Sequence, residues 1–240
     1  MHRVIIWVLL LGWFQLVQAD VLKVGMENLD YSPYYTPVGG GQTEGVAVQI
    51  LQKFAADNGH TLVIEALPVA RLLPSFLSGA VDFKFPDNAY WASDAKAGKH
   101  VQYSAPVLPS TDGVLVVPDK AGKTNLKTLG VVRGFSPWVY MDAVKANELS
   151  LKETSNLDSL IKQAVAGRVD GAYANVAVVS NSLGQMGMAN QLVFDASLPH
   201  SAASFSLSTI TKTDVLNQFN EFLKINSDWI AQLIADNGIQ

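Results

Sequence analysis

Hydrophobic patterning predicts alternating strands and helices at the start of the chain. Residues 21–25 alternate apolar and polar positions, as a strand does. From Glu44 to Asn58 the apolar residues recur at helical spacing, and Gly59 follows as a helix stop. Residues 61–66 predict a second strand. Strand, helix and strand in this order imply a parallel pair of strands with a right-handed crossover.

A longer pattern occurs twice and predicts two similar lobes. Each copy is a helix, a Gly-x-Val-Asp sequence and a strand. The copies cover helix 71–78, Gly79–Asp82 and strand 83–85, then helix 158–166, Gly167–Asp170 and strand 171–173. We expect the glycine to adopt the left-handed backbone that ends the helix, and the valine to begin a buried strand.

Two extended segments predict the connections between these lobes. Residues 103–118 contain three breaks at Pro106, Pro109 and Gly113, and a second crossover is expected near 197–201. We therefore predict an α/β fold of two lobes, each a mostly parallel sheet flanked by helices, with the two crossover strands as a hinge. The predicted boundaries are 20–108 for the first part of lobe one, 109–200 for lobe two and 201–240 for the return to lobe one.

The first residues predict a secretory signal peptide. Residues 4–14 are apolar, follow a short basic start, and are too few to span a bilayer. Val17 and Ala19 fit the small-residue pattern of a cleavage site. We expect residues 1–19 to be removed by a cut after Ala19 and the product to be periplasmic; an uncleaved anchor is the alternative.

Composition excludes several classes of protein. The 240 residues are 49% hydrophobic and 16% charged, which is enough for a packed core. The net charge is −4 and no basic block occurs, so nucleic acid and anionic membrane are poor candidate partners. The absence of cysteine excludes disulfides, thiolate metal sites and a cysteine nucleophile. We expect a monomer without a cofactor.

Short motifs along the whole mature chain add a family resemblance. They are LKVGM at 22–26 with YSPY at 31–34, EGVAVQI at 44–50, LLP at 72–74 with SGAVD at 78–82, YSAP at 103–106, LGVVRG at 129–134 and GRVD at 167–170. Their order and spacing resemble the family 3 extracellular solute-binding proteins, the periplasmic amino-acid-binding type of ABC importers. The resemblance implies a type II periplasmic-binding-protein fold that closes on a small polar solute for a membrane permease.

Two positions depart from the amino-acid binders of that family. Those proteins grip the α-carboxylate with an arginine in lobe one, but residues 90–101 contain none, although Lys96 lies near the place. Where the family has an acidic residue for the α-amino group, this chain has Asn175. An amide does not balance an ammonium as a carboxylate does. We therefore expect an amino-acid-like solute with a carboxylate rather than a plain α-amino acid.

Five candidate ligand residues lie in lobe one. Tyr31 and Trp91 offer aromatic faces to the solute. Arg71 could grip a carboxylate with two hydrogen bonds, or be a surface residue. Asp87 and Asn88 could meet a cationic or hydroxyl group, or form an Asx turn.

Three candidates lie in lobe two, just beyond predicted strands. Arg133 and Ser136 follow the first strand, and Asn175 follows the strand of the second repeat. Ligands of such sheets sit beyond the carboxyl ends of the strands. The alternative for Ser136 is an N-cap, with Pro137 as the first helical residue.

Other functional classes have weaker support. The sequence has no HExxH pair, no G-x-S-x-G elbow and no phosphate-binding loop, so we predict neither a metal site nor catalytic residues. Two alternatives stay open: a sensing module for a membrane signalling protein, and a dehydratase-like enzyme on the same fold.

Overall fold

The computed structural model describes residues 20–38 and 40–239; the predicted signal peptide and its cleavage site at Ala19 lie outside these residues. The strands are β1 (Val21–Glu27), β2 (Thr36–Val38), β3 (Gln42–Glu44), β4 (Thr61–Leu67), β5 (Phe83–Asp87), β6 (Gln102–Tyr103), β7 (Leu108–Val116), β8 (Thr128–Val132), β9 (Ser150–Thr154), β10 (Gly171–Asn175), β11 (Val193–Phe194) and β12 (Ser201–Thr209). The helices are α1 (Val46–Asp57), α2 (Val69–Leu77), α3 (Ser93–Lys96), α4 (Met141–Lys145), α5 (Leu157–Val165), α6 (Val176–Gln185), α7 (Thr213–Ile225) and α8 (Ser227–Asp236). Among these described helices, none is long and apolar enough to cross a membrane.

The first half of the sheet confirms the predicted β-α-β unit. Strand β1 lies between β4 and β5 and is parallel to both. Strand β12 returns to this half and pairs antiparallel with β5. Ile50 and Phe54 of α1 pack with Phe219 of α7 in the core beside this sheet. The rings of Phe54 and Phe219 meet edge to face at 5.0 Å.

The second half repeats the same arrangement. Strand β8 lies between β10 and β9 and is parallel to both, while β7 pairs antiparallel with β10. One apolar cluster contains Leu160 and Val169, and another contains Val131 and Tyr140. This half of the chain therefore has a core of its own.

The two crossover strands pair with each other. Their antiparallel register runs from Leu108 opposite Phe205 to Asp112 opposite Ser201. This pairing makes the sheet continuous, in the order β4-β1-β5-β12-β7-β10-β8-β9. The sequence predicted both crossovers but not their mutual pairing, because strand partners far apart in the chain leave no local signal.

The glycines of the repeated Gly-x-Val-Asp sequence have the backbone conformation predicted for them. Gly79 and Gly167 have positive φ angles of 77° and 68° at the ends of α2 and α5. The prediction that the valines begin the strands is wrong: Val81 and Val169 are buried, but β5 begins at Phe83 and β10 at Gly171. The aspartates anchor neighbouring strands: Asp82 accepts a hydrogen bond from the backbone N–H of Lys23 at 3.0 Å, and Asp170 accepts one from that of Thr128 at 2.8 Å.

Candidate functional site

A cavity of about 260 Å³ lies between the two halves. We call it the interlobar cavity; it is lined by Leu29, Asp30, Tyr31, Val132, Phe135, Ser155, Asn156, Leu157, Tyr173, Ala174, Asn175 and Val178. Residues 29–31 follow β1 in the first half, whereas Val132 and Asn175 end β8 and β10 in the second. The cavity is therefore at the carboxyl ends of parallel strands, where this class of sheet binds ligands.

Packed tyrosines hold the first-half loop in place. The backbone N–H of Tyr31 donates to the carbonyl of Tyr35 at 2.9 Å, and their rings stack with centroids 5.5 Å apart. The hydroxyl of Tyr35 donates to Glu27 at 2.9 Å, and that of Tyr34 donates to the carbonyl of Pro109 at 2.9 Å. Tyr31 is thus presented to the cavity by a fixed loop.

Asp112 brings a carboxylate to the junction of the two halves. It lies in β7, opposite Asn175 of β10 and Ser201 of β12. Its Oδ1 atom is buried and has no hydrogen-bond partner among the described residues. Burial raises the pKa of Asp112, and the neighbouring Asn175 amide opposes this rise. Burial also raises the pKa of both Tyr31 and Tyr173, and the Asp112 charge adds to it.

Sequence reasoning missed Asp112. Residues 103–118 predict only a crossover, because a single aspartate in an extended segment carries no distinctive signal. The role of Asp112 depends on β7 lying beside β10, which is a tertiary pairing.

Asn175 is part of the cavity wall and also caps a helix. Its Oδ1 accepts a hydrogen bond from the backbone N–H of Val178 at 3.1 Å, and its Nδ2 donates to Ser110 Oγ at 3.1 Å. These bonds fix the amide in one orientation. Its contact with a solute stays a prediction.

A second, more open pocket brings aromatic residues of both halves together. We call it the rim pocket; it has a volume of about 730 Å³ and is lined by Asn88, Tyr90, Trp91, Trp138 and residues 201–204. Trp91 belongs to the first half and is 39% exposed, while Trp138 belongs to the second and is 77% exposed. The Trp91 ring packs against Phe205, with centroids 5.7 Å apart.

Asn88 forms an Asx turn, which is one of the two roles that the sequence predicts for it. Its Oδ1 accepts from the backbone N–H of Tyr90 at 3.0 Å, and its Nδ2 donates to the carbonyl of Ser204 at 3.2 Å. Asn88 therefore links the loop after β5 to the crossover strand β12. It also lines the rim pocket, so contact with a solute stays a prediction.

Asp87, the residue before Asn88, lies in a buried ion-pair network with Lys84 and Lys96. It is 0% exposed. Its Oδ1 accepts from Lys96 Nζ at 2.7 Å and from Lys84 Nζ at 3.2 Å, and its Oδ2 accepts from Ser208 Oγ at 2.6 Å. Burial lowers the pKa of Lys84, and the Asp87 charge opposes that shift. Both oxygens of Asp87 are thus engaged, which favours a structural role for Asp87 and Lys96.

The remaining three candidates line neither pocket. Arg71 is exposed on α2, and its side chain has no hydrogen bond or ion pair with any residue the structure describes. Arg133 is exposed and pairs with Glu153 at 3.2 Å. Ser136 is exposed, and the 3₁₀ turn after it has Pro137 rather than Ser136 at its cap position. Their contact with a solute stays a prediction.

The described part of the chain places no group of three or more His, Asp or Glu side chains where they could hold a metal ion.

Comparisons with known proteins agree on the fold. No family model matches the sequence, and no curated protein is similar to it in sequence. Among solved structures, substrate-binding domain 2 of GlnP from Lactococcus lactis, in an open conformation, is similar with a TM-score of 0.68 and 16% identity over 92% of this chain and 96% of that one. The periplasmic VFT2 domain of BvgS from Bordetella pertussis is similar with a TM-score of 0.69 and 19% identity over 90% and 92%.

A third similar structure is the ancestral amino-acid-binding protein AncCDT-1, a precursor of cyclohexadienyl dehydratase. Its TM-score is 0.65, with 17% identity over 90% of this chain and 94% of that one. All three similarities extend over nearly the full length of both chains. The chain therefore has the two-lobed α/β fold of the periplasmic binding proteins, as predicted from its sequence.

Proposed function

We propose that this protein captures a small, polar, amino-acid-like solute in the periplasm by closing its two halves, and delivers it to an ABC-type importer. The observation that carries the proposal is the interlobar cavity, because its wall combines the loop at Tyr31 with the strand ends at Val132 and Asn175. A solute there touches both halves. Its binding free energy therefore favours the closed state by the difference in affinity between the two states.

Arg71 is our candidate for holding a carboxylate of the solute. Helix α2 begins directly after the carboxyl end of β4. Strand β4 is parallel to β1, and residues 29–31, which follow β1, line the cavity, so α2 begins at the same edge of the sheet. Among the described residues, Lys84 and Lys96 are paired with Asp87, and Arg133 is paired with Glu153, whereas Arg71 has no such partner. Its guanidinium is thus the available cation of these four.

A thermal-shift screen tests this function. Small carboxylates, amino acids, amines and sugars are added singly to the purified mature protein. We expect at least one carboxylate-bearing compound to raise Tm, because a ligand that binds only the native state adds RT ln(1 + [L]/Kd) to its stability. A response to sugars alone would contradict the carboxylate assignment. The compound should be recovered unchanged; its conversion would favour the dehydratase-like alternative.

Export and the role of the partner are tested in cells. Protein recovered from the periplasm should begin at Asp20. Asp20 is paired with Lys212 at 3.2 Å, and a cut after Ala19 leaves that contact in place.

Uptake of the stabilising compound should fall when the gene is deleted. Unchanged uptake with a lost transcriptional response would favour the sensing module.

A further inference from the structure

The interlobar cavity presents negative charge and aromatic surface to its ligand. Asp30 is among its lining residues, and none of the described residues on its lining is Lys, Arg or His. Tyr31 and Tyr173 add their rings. An anion placed here would meet the Asp30 carboxylate and no opposite charge on the described lining, whereas a cation would be attracted by that carboxylate and by the ring faces.

Asp112 differs from Asp30, which accepts a hydrogen bond from the backbone N–H of Ser32 at 3.1 Å, and also from Asp87 and Glu27. Asp87 is neutralised by two lysines, and Glu27 accepts a hydrogen bond from Tyr35. The buried Oδ1 of Asp112 has no hydrogen-bond partner among the described residues, which is a costly state for a carboxylate. Asp112 as a whole residue is half-buried. A bound cation would remove this cost, because an opposite charge stabilises the ionised carboxylate.

The register of the sheet places this carboxylate beside the cavity. Asp112 lies directly opposite Asn175 in the β7–β10 ladder, so both side chains point to the same face of the sheet. Asn175 lines the cavity. The Asp112 charge also acts on Tyr31 and Tyr173, which line the cavity from opposite halves.

We propose that the solute carries a positively charged nitrogen that binds against Asp112, between the rings of Tyr31 and Tyr173. This inference rests on the proposed solute-binding function and adds the charge of one part of the solute. It also places the acidic partner of the solute on the hinge strand β7 rather than at Asn175. Closing of the two halves would bring Tyr31 toward Tyr173 and enclose the nitrogen.

Matched probes with and without a cation test the inference. The mature protein is titrated with L-glutamine, L-arginine and putrescine, and with N-acetyl-L-glutamine, glutarate and 1,4-butanediol. Thermal shift and calorimetry follow binding. We expect at least one cation-bearing probe to raise Tm and its uncharged or anionic counterpart to have no effect. Asp112→Asn should weaken the binding of the probe that raises Tm by about tenfold or more.

A control variant and a ring variant sharpen the test. Asp119→Asn removes an exposed carboxylate on the turn after β7 and should leave probe binding unchanged. Tyr31→Phe keeps the ring face and should retain binding, whereas Tyr31→Leu should weaken it.

The outcomes separate this inference from the proposed function. A shift caused only by glutarate or N-acetyl-L-glutamine, and retained in Asp112→Asn, would overturn the cation site and leave solute capture standing. Equal loss of binding in Asp112→Asn and Asp119→Asn would also overturn it. If no probe raises Tm, both the cation site and the proposed capture of amino-acid-like solutes are contradicted.

Discussion

Asp112 and Asn175 lie opposite each other across β7 and β10, at the place where the crossover strands enter the second half of the fold. Asn175 uses both ends of its amide within the protein, to Val178 and to Ser110. Asp112 leaves Oδ1 without a hydrogen-bond partner in the described structure. The pair therefore combines an amide that makes its hydrogen bonds within the protein with a carboxylate oxygen that lacks a hydrogen-bond partner among the described residues.

The unsatisfied charge predicts that Asp112→Asn stabilises the ligand-free protein near neutral pH. Burial raises the folded-state pKa of Asp112 above its ordinary 3.8, so ionisation costs stability as pH rises from 3.8 through the folded-state pKa. At pH values above that range, removing the charge should raise the free energy of unfolding by about 1–3 kcal/mol. The gain should disappear below pH 3.8, where the carboxyl is protonated in both states. Urea unfolding near neutral pH and below pH 3.8 measures this gain in stability. A loss of stability at neutral pH would contradict the prediction.

Asp87→Asn should strongly destabilise the fold, because it leaves Lys84 and Lys96 buried without a counter-charge. Breaking a buried ion pair in this way costs about 3–5 kcal/mol. Lys96→Met should lower the free energy of unfolding by less, because Lys84 still pairs with Asp87. Unfolding in urea measures the free energy of unfolding of both variants. The control is Asp94→Asn, because Asp94 of α3 is exposed. Its free energy of unfolding should change by no more than about 0.5 kcal/mol.

Alanine substitutions separate the helix-ending glycines from an ordinary helical glycine. Gly79→Ala and Gly167→Ala should each cost about 1–2 kcal/mol, because their φ angles of 77° and 68° strain a residue with Cβ even where space is open. Gly184→Ala, in α6 with open space and no positive φ, should stabilise by about 0.5–1 kcal/mol. Thermal unfolding compares the three; equal effects would show that backbone conformation is not the cause.

Closing of the halves should be visible in tryptophan fluorescence. Trp91 of the first half and Trp138 of the second half both line the rim pocket. A solute that closes the cleft should therefore reduce quenching by acrylamide. Trp138→Phe removes the more exposed of the two rings and should abolish most of the change. Unaltered quenching in the presence of a stabilising solute would show that binding does not close the rim.

Arg71→Ala should abolish the thermal shift caused by a carboxylate-bearing solute and leave the ligand-free Tm nearly unchanged. Arg71 has no side-chain partner among the described residues, so its removal breaks no contact within them. Arg168→Ala removes another exposed arginine and is the matched control. If Arg71→Ala lowers the ligand-free Tm as much as it lowers the shift, its role is structural.

The amino-acid sequence by itself determined the local elements and their order. The spacing of apolar residues predicted a helix from Glu44 to Asn58, and α1 extends from Val46 to Asp57. Gly79 and Gly167 ended their helices as predicted, because left-handed backbone is a local property that glycine tolerates. Two copies of the same unit predicted two lobes, and the extended segments at 103–118 and near 197–201 predicted the crossovers between them.

Only the tertiary structure decided which side chains share a site. Asp87 and Asn88 are adjacent in sequence, but one is buried between two lysines and the other lines the rim pocket. Asp112 acquires its position from strand partners 63 residues away at Asn175 and 89 residues away at Ser201. Pairing over such separations depends on the packing of the whole sheet, and so do the burial and the charge environment that make Asp112 distinctive.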